Sequence, residues 1–383
     1  MSSVTISNNK SMVASGLEDV VASTSNICFV DGANGRLIYQ GIDINDLIDG
    51  HASFEEVIYL LWYGRLPKRT ELEEFTKNIA TQRKLPEEVS YFLRRMPKNA
   101  NAMDVLRTTV SLLSMFDPDA GDSSREANIR QATRLVAQIP TIVTTFARLQ
   151  QGLEPVVADE SLSAAASFLY MLKGSQPTDF EVDTFNIALI LHADHELNAS
   201  TFSARVTAGT LSDLYSAITS AIGTLKGPLH GGANEQVIRT LLAIGDIGKV
   251  EEWINGELAN KRKIMGFGHR VYRTEDPRAT HLRQLSKEAG ERNNDTKWYE
   301  MSQIIEKLVK LKKGLYPNVD FYSASLYYSL GISPHLYTPI FACSRIAGWT
   351  AHVLEQYENN RLIRPRAEYT GPVNKVYIPI DER

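Results

Sequence analysis

"ICFVDGANGRLIYQG", residues 27–41, is nearly the only stretch of this 383-residue chain that reads as paired strands. Two short apolar runs flank the turn dipeptides Asp31-Gly32 and Asn34-Gly35, the composition of a β-hairpin. With so little else alternating in character, the remainder must build its core from helices. The fold class that follows is all-α, with one short N-terminal hairpin.

Working outward, helical signals begin at once. Ser53-Phe54-Glu55-Glu56 has the spacing of a capping box in front of Val57, Leu60 and Leu61, and Gly64 and Pro67 end that helix. Val105, Thr109, Leu112 and Phe116 share a face, while Pro140 should kink or break a helix over 125–150. Thr178 to Glu181 forms a second capping box, opening a helix through "FNIALILHADHE". Segments 199–209 and 213–224 are rich in Ala, Ser, Thr and Gly and almost uncharged, which suits helices packed closely on several sides. Residues 235–315 are more charged than the apolar blocks around them, the mark of a smaller domain inserted in a larger one. The opening residues "MSSVTISNNKSMVASG" are small and polar, which predicts a loosely ordered tail over 1–15.

Composition narrows the function. The chain is 43% hydrophobic and 22% charged with a formal net charge of −4, so neither nucleic acid nor an anionic membrane is the expected partner. No apolar run approaches the roughly 18 residues of a membrane span. The two cysteines, Cys28 and Cys343, are far apart and form no CxxC, which points to a reducing, cytoplasmic setting.

Four stretches combine reactive groups with Gly or Pro. In "LHADHELNAST", His192 and His195 are three residues apart and would lie on nearly one helix face, as half a metal site, as structural histidines or as substrate ligands. In "LKGPLHGGANE", His230 precedes Gly231-Gly232 and a helical "ANEQVIRTLL". The glycines there could make a packing turn or cradle a phosphate. At a helix start, however, His230 would stay neutral and could donate to a developing oxyanion. The third, "KRKIMGFGHRVYRTEDPR", holds Lys261, Arg262, Lys263, Arg270, Arg273 and Arg278 around His269, an anion site in an acidic protein. In the fourth, "YPNVDFYSAS", Asp320 opens a helix, where an ordinary N-terminal acid would look the same. Arg345, alone in an apolar helix, needs an anionic partner, and Arg361, Arg364 and Arg366 crowd the C-terminal region. Arginines, histidines and one carboxylate together suit the binding of a polycarboxylate and the movement of a proton.

These stretches, in order, resemble the citrate synthase family: "DHELNAST", "GPLHGGANE", "GFGHRVYRTEDPR" and "YPNVDFYS", then "SRIAGW" and "RPRAEYTGP". The likeness spans roughly residues 16–383. It implies a two-domain, all-helical homodimer, with a large domain over 16–225 and 335–383 and a small domain over 226–334. It implies condensation of acetyl-CoA with oxaloacetate and water to citrate and CoA, with no metal and no bound cofactor. By the resemblance, Asp320 is the base, His230 the enolate donor, and His269 the group that polarises the ketone and protonates the alkoxide. His195, Arg278 and Arg345 match oxaloacetate ligands, and Arg364 matches an arginine given to the neighbouring subunit. Arg262 and Arg273, with Gly266 and Gly268, fall where coenzyme A is met. 2-Methylcitrate synthases, which use propionyl-CoA, share the motifs and remain an alternative. So does a non-catalytic helical protein that binds CoA or carboxylates, and assembly beyond a dimer stays open.

Overall fold

The hairpin forms as the sequence suggests, with one addition. In the computed structural model, which describes residues 14–17 and 20–383, β1 (Cys28–Asp31) pairs antiparallel with β2 (Arg36–Tyr39), and β2 with a two-residue β3 (Ile42–Asp43). The expected tail over 1–15 lies, up to residue 13, outside the described residues. Leu37 and Tyr39 point into the core while Phe29 is exposed, the alternation of a sheet covered on one face. At the turn, the Asp31 carboxylate accepts the Ala33 and Asn34 N–H groups at 3.1 and 3.0 Å, and Gly35 takes the left-handed conformation that closes it.

Everything else that is regular among the described residues is helical. Both capping boxes form: Ser53 and Glu56 exchange hydrogen bonds ahead of Phe54–Tyr63, and Thr178 and Glu181 do so ahead of Asp179–His192. Pro140 does not break its helix, one of the two outcomes expected there, and Arg125–Gln150 runs through it. Buried side chains on both sides of the proline outweigh its penalty of about 3 kcal/mol, and the Thr144 hydroxyl donates to the Pro140 carbonyl at 2.9 Å. A correction concerns "LHADHE". The helix stops at His192, so His192 and His195 share no helix face. Tertiary contacts end it: the Tyr39 hydroxyl takes the Asp194 N–H at 3.3 Å, and Gly348 N–H donates to the Ala193 carbonyl at 3.1 Å.

By its contacts the chain divides into two units. One comprises residues 25–361; the other comprises the described residues of the terminal segments, up to Thr24 and from Leu362. Within the larger unit, the buried Tyr337–Glu358 helix packs against Phe54–Tyr63, Arg125–Gln150, Ala199–Ala208 and Leu214–Leu225. Pro277–Arg292 packs along Val319–Ser329, joined by a 2.7 Å hydrogen bond between the Ser286 and Ser325 hydroxyls. Those last two helices carry Arg278 and Asp320 in their first turns.

Candidate active site

Asp320 is set by its own cap. The Asn318 side chain accepts the Asp320 N–H at 3.0 Å and donates to the Gly268 carbonyl at 3.1 Å. Asn318 N–H reaches the Gly266 carbonyl, and Gly268 N–H the Tyr316 carbonyl, both at 2.9 Å, so the "GFG" segment lies antiparallel to "YPN". Gly266 and Gly268 both hold positive φ, and a Cβ on Gly266 would sit 2.9 Å from Phe321 and Val237 side-chain atoms. Only glycine fits that approach. The Asp320 carboxyl is 9% exposed, and its Oδ1 has no hydrogen-bond partner. Burial pushes its pKa up to about 7, with Arg278 opposing the rise and Asp276 adding to it.

His230 faces the same space. A cavity of about 540 Å³ is lined by His230, Asp320, Arg262, Lys263, Gly266 and Asn318, among others. The Ser200 backbone N–H, in the first turn of Ala199–Ala208, lies 3.3 Å from His230 Nε2, and the Ser200 hydroxyl lies 2.8 Å from the same atom. A backbone N–H can only donate. Nε2 is therefore the acceptor, and the neutral ring carries its proton on Nδ1. Burial lowers the His230 pKa to about 4, with help from the Arg345 charge. The imidazole is thus kept neutral by burial and a guanidinium, where the sequence suggested the helix end. Gly231 is needed for packing: a Cβ there would lie 2.6 Å from the Leu225 carbonyl oxygen.

His269 is fixed by the same logic with the ring nitrogens exchanged. Val271 and Tyr272 N–H groups both point at its Nδ1, at 3.0 and 3.1 Å, leaving Nε2 to carry the proton. Its pKa falls to about 4, chiefly through burial and then the Arg278 charge. The His195 and His269 rings lie 5.0 Å apart, and the Tyr272 hydroxyl lies 3.3 Å from His195 Nε2. Burial, Arg278, His269 and Arg345 together push the His195 pKa far down. His192 is set apart: its Nδ1 bonds the Ala188 carbonyl at 2.8 Å within the core. Among the described residues no group of three or more His, Cys, Asp or Glu is arranged to hold a metal ion.

The arginines differ in their engagement. Arg278 makes a two-point pair with Asp276, at 2.9 and 2.7 Å, both residues being buried. Arg345, 1% exposed, donates from Nε to the His192 carbonyl at 2.7 Å and lies over the Phe341 ring. It makes no salt bridge with a described carboxylate, and burial lowers its pKa to about 10 against the opposing charge of buried Asp194. That carboxylate is its counter-charge, acting from outside salt-bridge distance. Arg262 lines the cavity but pairs with Glu257 at 2.9 Å, and Arg273 is exposed. Arg364 is exposed and belongs to the unit formed by the terminal segments. Ser200 and Tyr272, which touch His230 and His195, went unremarked in the sequence because a hydroxyl next to a histidine there is a tertiary fact.

A neutral imidazole at His230 and a raised carboxyl at Asp320 line one cavity beside Arg262 and Lys263, a set of groups able to move a proton next to a bound anion. The comparisons make this specific. The family model described as "Citrate synthase, C-terminal domain" matches residues 16–366. "Citrate synthase 2" of Bacillus subtilis is 54% identical over 369 residues, covering 96% of this chain and 98% of the relative. "2-methylcitrate synthase 2" of Corynebacterium glutamicum is 41% identical over 376 residues, covering 97% and 98%. A citrate synthase of Thermoplasma acidophilum, solved as a ternary complex with carboxymethyl coenzyme A and oxaloacetate, superposes with a TM-score of 0.92 at 37% identity, covering 96% of this chain and 99% of that one. The chain belongs to the citrate synthase family.

Proposed function

We propose that this enzyme condenses acetyl-CoA with oxaloacetate and hydrolyses the resulting thioester to citrate and CoA. One observation carries the reading: Asp320 Oδ1, without a partner, and His230, with its proton on Nδ1, line one cavity. A thioester methyl is a very weak acid, so a carboxylate removes its proton only if the enolate oxygen is stabilised as it forms. The Asp320 carboxylate takes that proton, and the His230 Nδ1–H donates to the enolate oxygen, where one such donor is worth about 2.7–4 kcal/mol. The enolate carbon then bonds the ketone carbon of oxaloacetate. His269 Nε2–H polarises the ketone and gives its proton to the new alkoxide. Water then cleaves the thioester, releasing CoA as the thiol.

His195, Arg278 and Arg345 hold oxaloacetate, and Arg345 supports this because its buried guanidinium makes no salt bridge with a described carboxylate and could take one from a bound dicarboxylate. Arg364 is proposed to complete the neighbouring subunit's site in a homodimer. Arg262 and Arg273 meet coenzyme A phosphates beside Gly266 and Gly268, with Arg262 first leaving Glu257. Residues 226–334 form a small domain that closes on a large domain of 16–225 and 335–383, excluding water during condensation. None of the described helices is long and apolar enough to cross a membrane, and two buried free thiols fit a cytoplasmic setting.

Thiol release from acetyl-CoA, measured with and without oxaloacetate, tests the reading. It should depend on oxaloacetate and vanish in Asp320→Ala while substrate binding persists. The 2-methylcitrate synthase relative keeps propionyl-CoA in play as a donor. One methylene alters kcat/KM by about 10–200-fold at most, so propionyl-CoA should turn over more slowly but measurably.

A further inference from the structure

The three-stranded sheet is small and stands alone in a helical protein, yet it touches the two segments that carry His195 and His269. Neither segment has regular structure. The first, after His192, turns through Glu196 at a positive φ, and the second runs from Gly266 to Asp276. Side chains on such segments reach working precision only when something rigid holds the backbone.

The sheet supplies that hold at both ends. At the end of β2, the buried Tyr39 hydroxyl lies 3.1 and 3.0 Å from the Ile190 and Asp194 carbonyl oxygens and accepts the Asp194 N–H. Asp194 is the residue before His195. At the turn between β1 and β2, the Gly32 carbonyl accepts the Arg273 N–H at 2.9 Å. A Cβ on Gly32 would sit 2.8 Å from the Val271 carbonyl carbon and closer still to its oxygen. The obstructing atoms are backbone, so no side-chain movement relieves the overlap. Val271 and Tyr272 are the residues whose N–H groups fix the His269 tautomer. Between these holds, the register Cys28↔Tyr39 to Asp31↔Arg36 ties Tyr39 to the turn through a continuous ladder.

We propose that the β1–β2–β3 sheet is the frame that spaces His195 from His269, with Tyr39 and Gly32 as positioning residues for the condensation. The role of the two histidines rests on the function proposed above; the spacing does not. A bare packing role for the sheet would make Tyr39 and Gly32 matter only for stability.

Gly32→Ala and Tyr39→Phe test the frame by steady-state kinetics, thermal unfolding and ¹⁵N NMR of labelled histidine side chains. Gly32→Ala should lower kcat about 10- to 100-fold, the scale of a 1 Å displacement, and His269 should lose its single Nε2–H tautomer signature. Tyr39→Phe should raise KM for oxaloacetate about tenfold with kcat within about threefold, as expected for a ligand holder that has shifted. The proposal is overturned if folded Gly32→Ala keeps the wild-type kcat and His269 tautomer. It is also overturned if activity in both variants falls only in step with the unfolded fraction. If wild type releases no thiol from acetyl-CoA with oxaloacetate, the functional reading fails instead, and the His269 tautomer in Gly32→Ala still decides the frame.

Discussion

Replacing Asp320 by asparagine should make the protein more stable and inactive at once. The carboxyl is buried, with one oxygen unpartnered, and its pKa is raised from 3.8 to about 7. Below pH 3.8 the group is protonated in the folded and the unfolded chain alike, and it leaves stability unchanged. Between 3.8 and 7 the unfolded chain ionises while the fold retains the proton, so stability falls as pH rises. Above 7 the folded carboxyl is charged too, and the full penalty is in place. At about 1.36 kcal/mol per pKa unit, the rise is worth roughly 4 kcal/mol. Asparagine keeps the shape without the charge. Asp320→Asn and wild type should therefore unfold at nearly the same denaturant concentration at pH 4, with the variant ahead by several kcal/mol at pH 8. Oxaloacetate-dependent thiol release should disappear. An equal stability difference at both pH values, or a less stable variant at pH 8, would refute the reasoning.

Three further substitutions probe the site from other sides. Arg345→Met removes the donor to the buried His192 carbonyl and a charge that offsets buried Asp194, so denaturant unfolding should show a loss of about 1–3 kcal/mol. KM for oxaloacetate should meanwhile rise at least about 30-fold, the lower range for truncating one member of a buried charge pair. Ser200→Ala takes a hydroxyl from His230 Nε2 and from Trp349 Nε1, which donates to it at 3.1 Å. Kinetics should show kcat down about tenfold, and the orphaned indole N–H should cost about 1–3 kcal/mol in denaturant unfolding. Gly266→Ala forces a side chain into positive φ against Phe321 and Val237, and should lose about 1–3 kcal/mol of stability together with most thiol release.

Local chemistry made much of this fold legible. Capping boxes at Ser53 and Thr178 depend on residues three apart, and the hairpin turn on four consecutive ones, so the sequence carries them openly. Asp320 at a helix start follows from Pro317-Asn318 in the same way. What stayed hidden depends on residues far apart in the chain. The end of the helix at His192 is decided by Tyr39 and Gly348, and the run through Pro140 by burial on both flanks. Motif reading identified His230 but not the donor that sets its tautomer. Ser200 is 30 residues from His230, and Gly32 meets Val271 and Arg273 across most of the chain. No periodicity encodes such meetings.

The central claim is that Asp320 works as an ionised base while His230 and His269 remain neutral donors. The pH dependence of kcat/KM, taken with both substrates well below saturation, tests it most directly because it reports the free enzyme's essential groups. With Asp320 raised to about 7 and both histidines lowered to about 4, the profile should rise with pH through one ionisation near 7. From pH 5.5 upward it should show no fall caused by a histidine losing its charge. A profile that declines between pH 5.5 and 7.5, as a charged imidazole acting as the donor would require, would contradict the account.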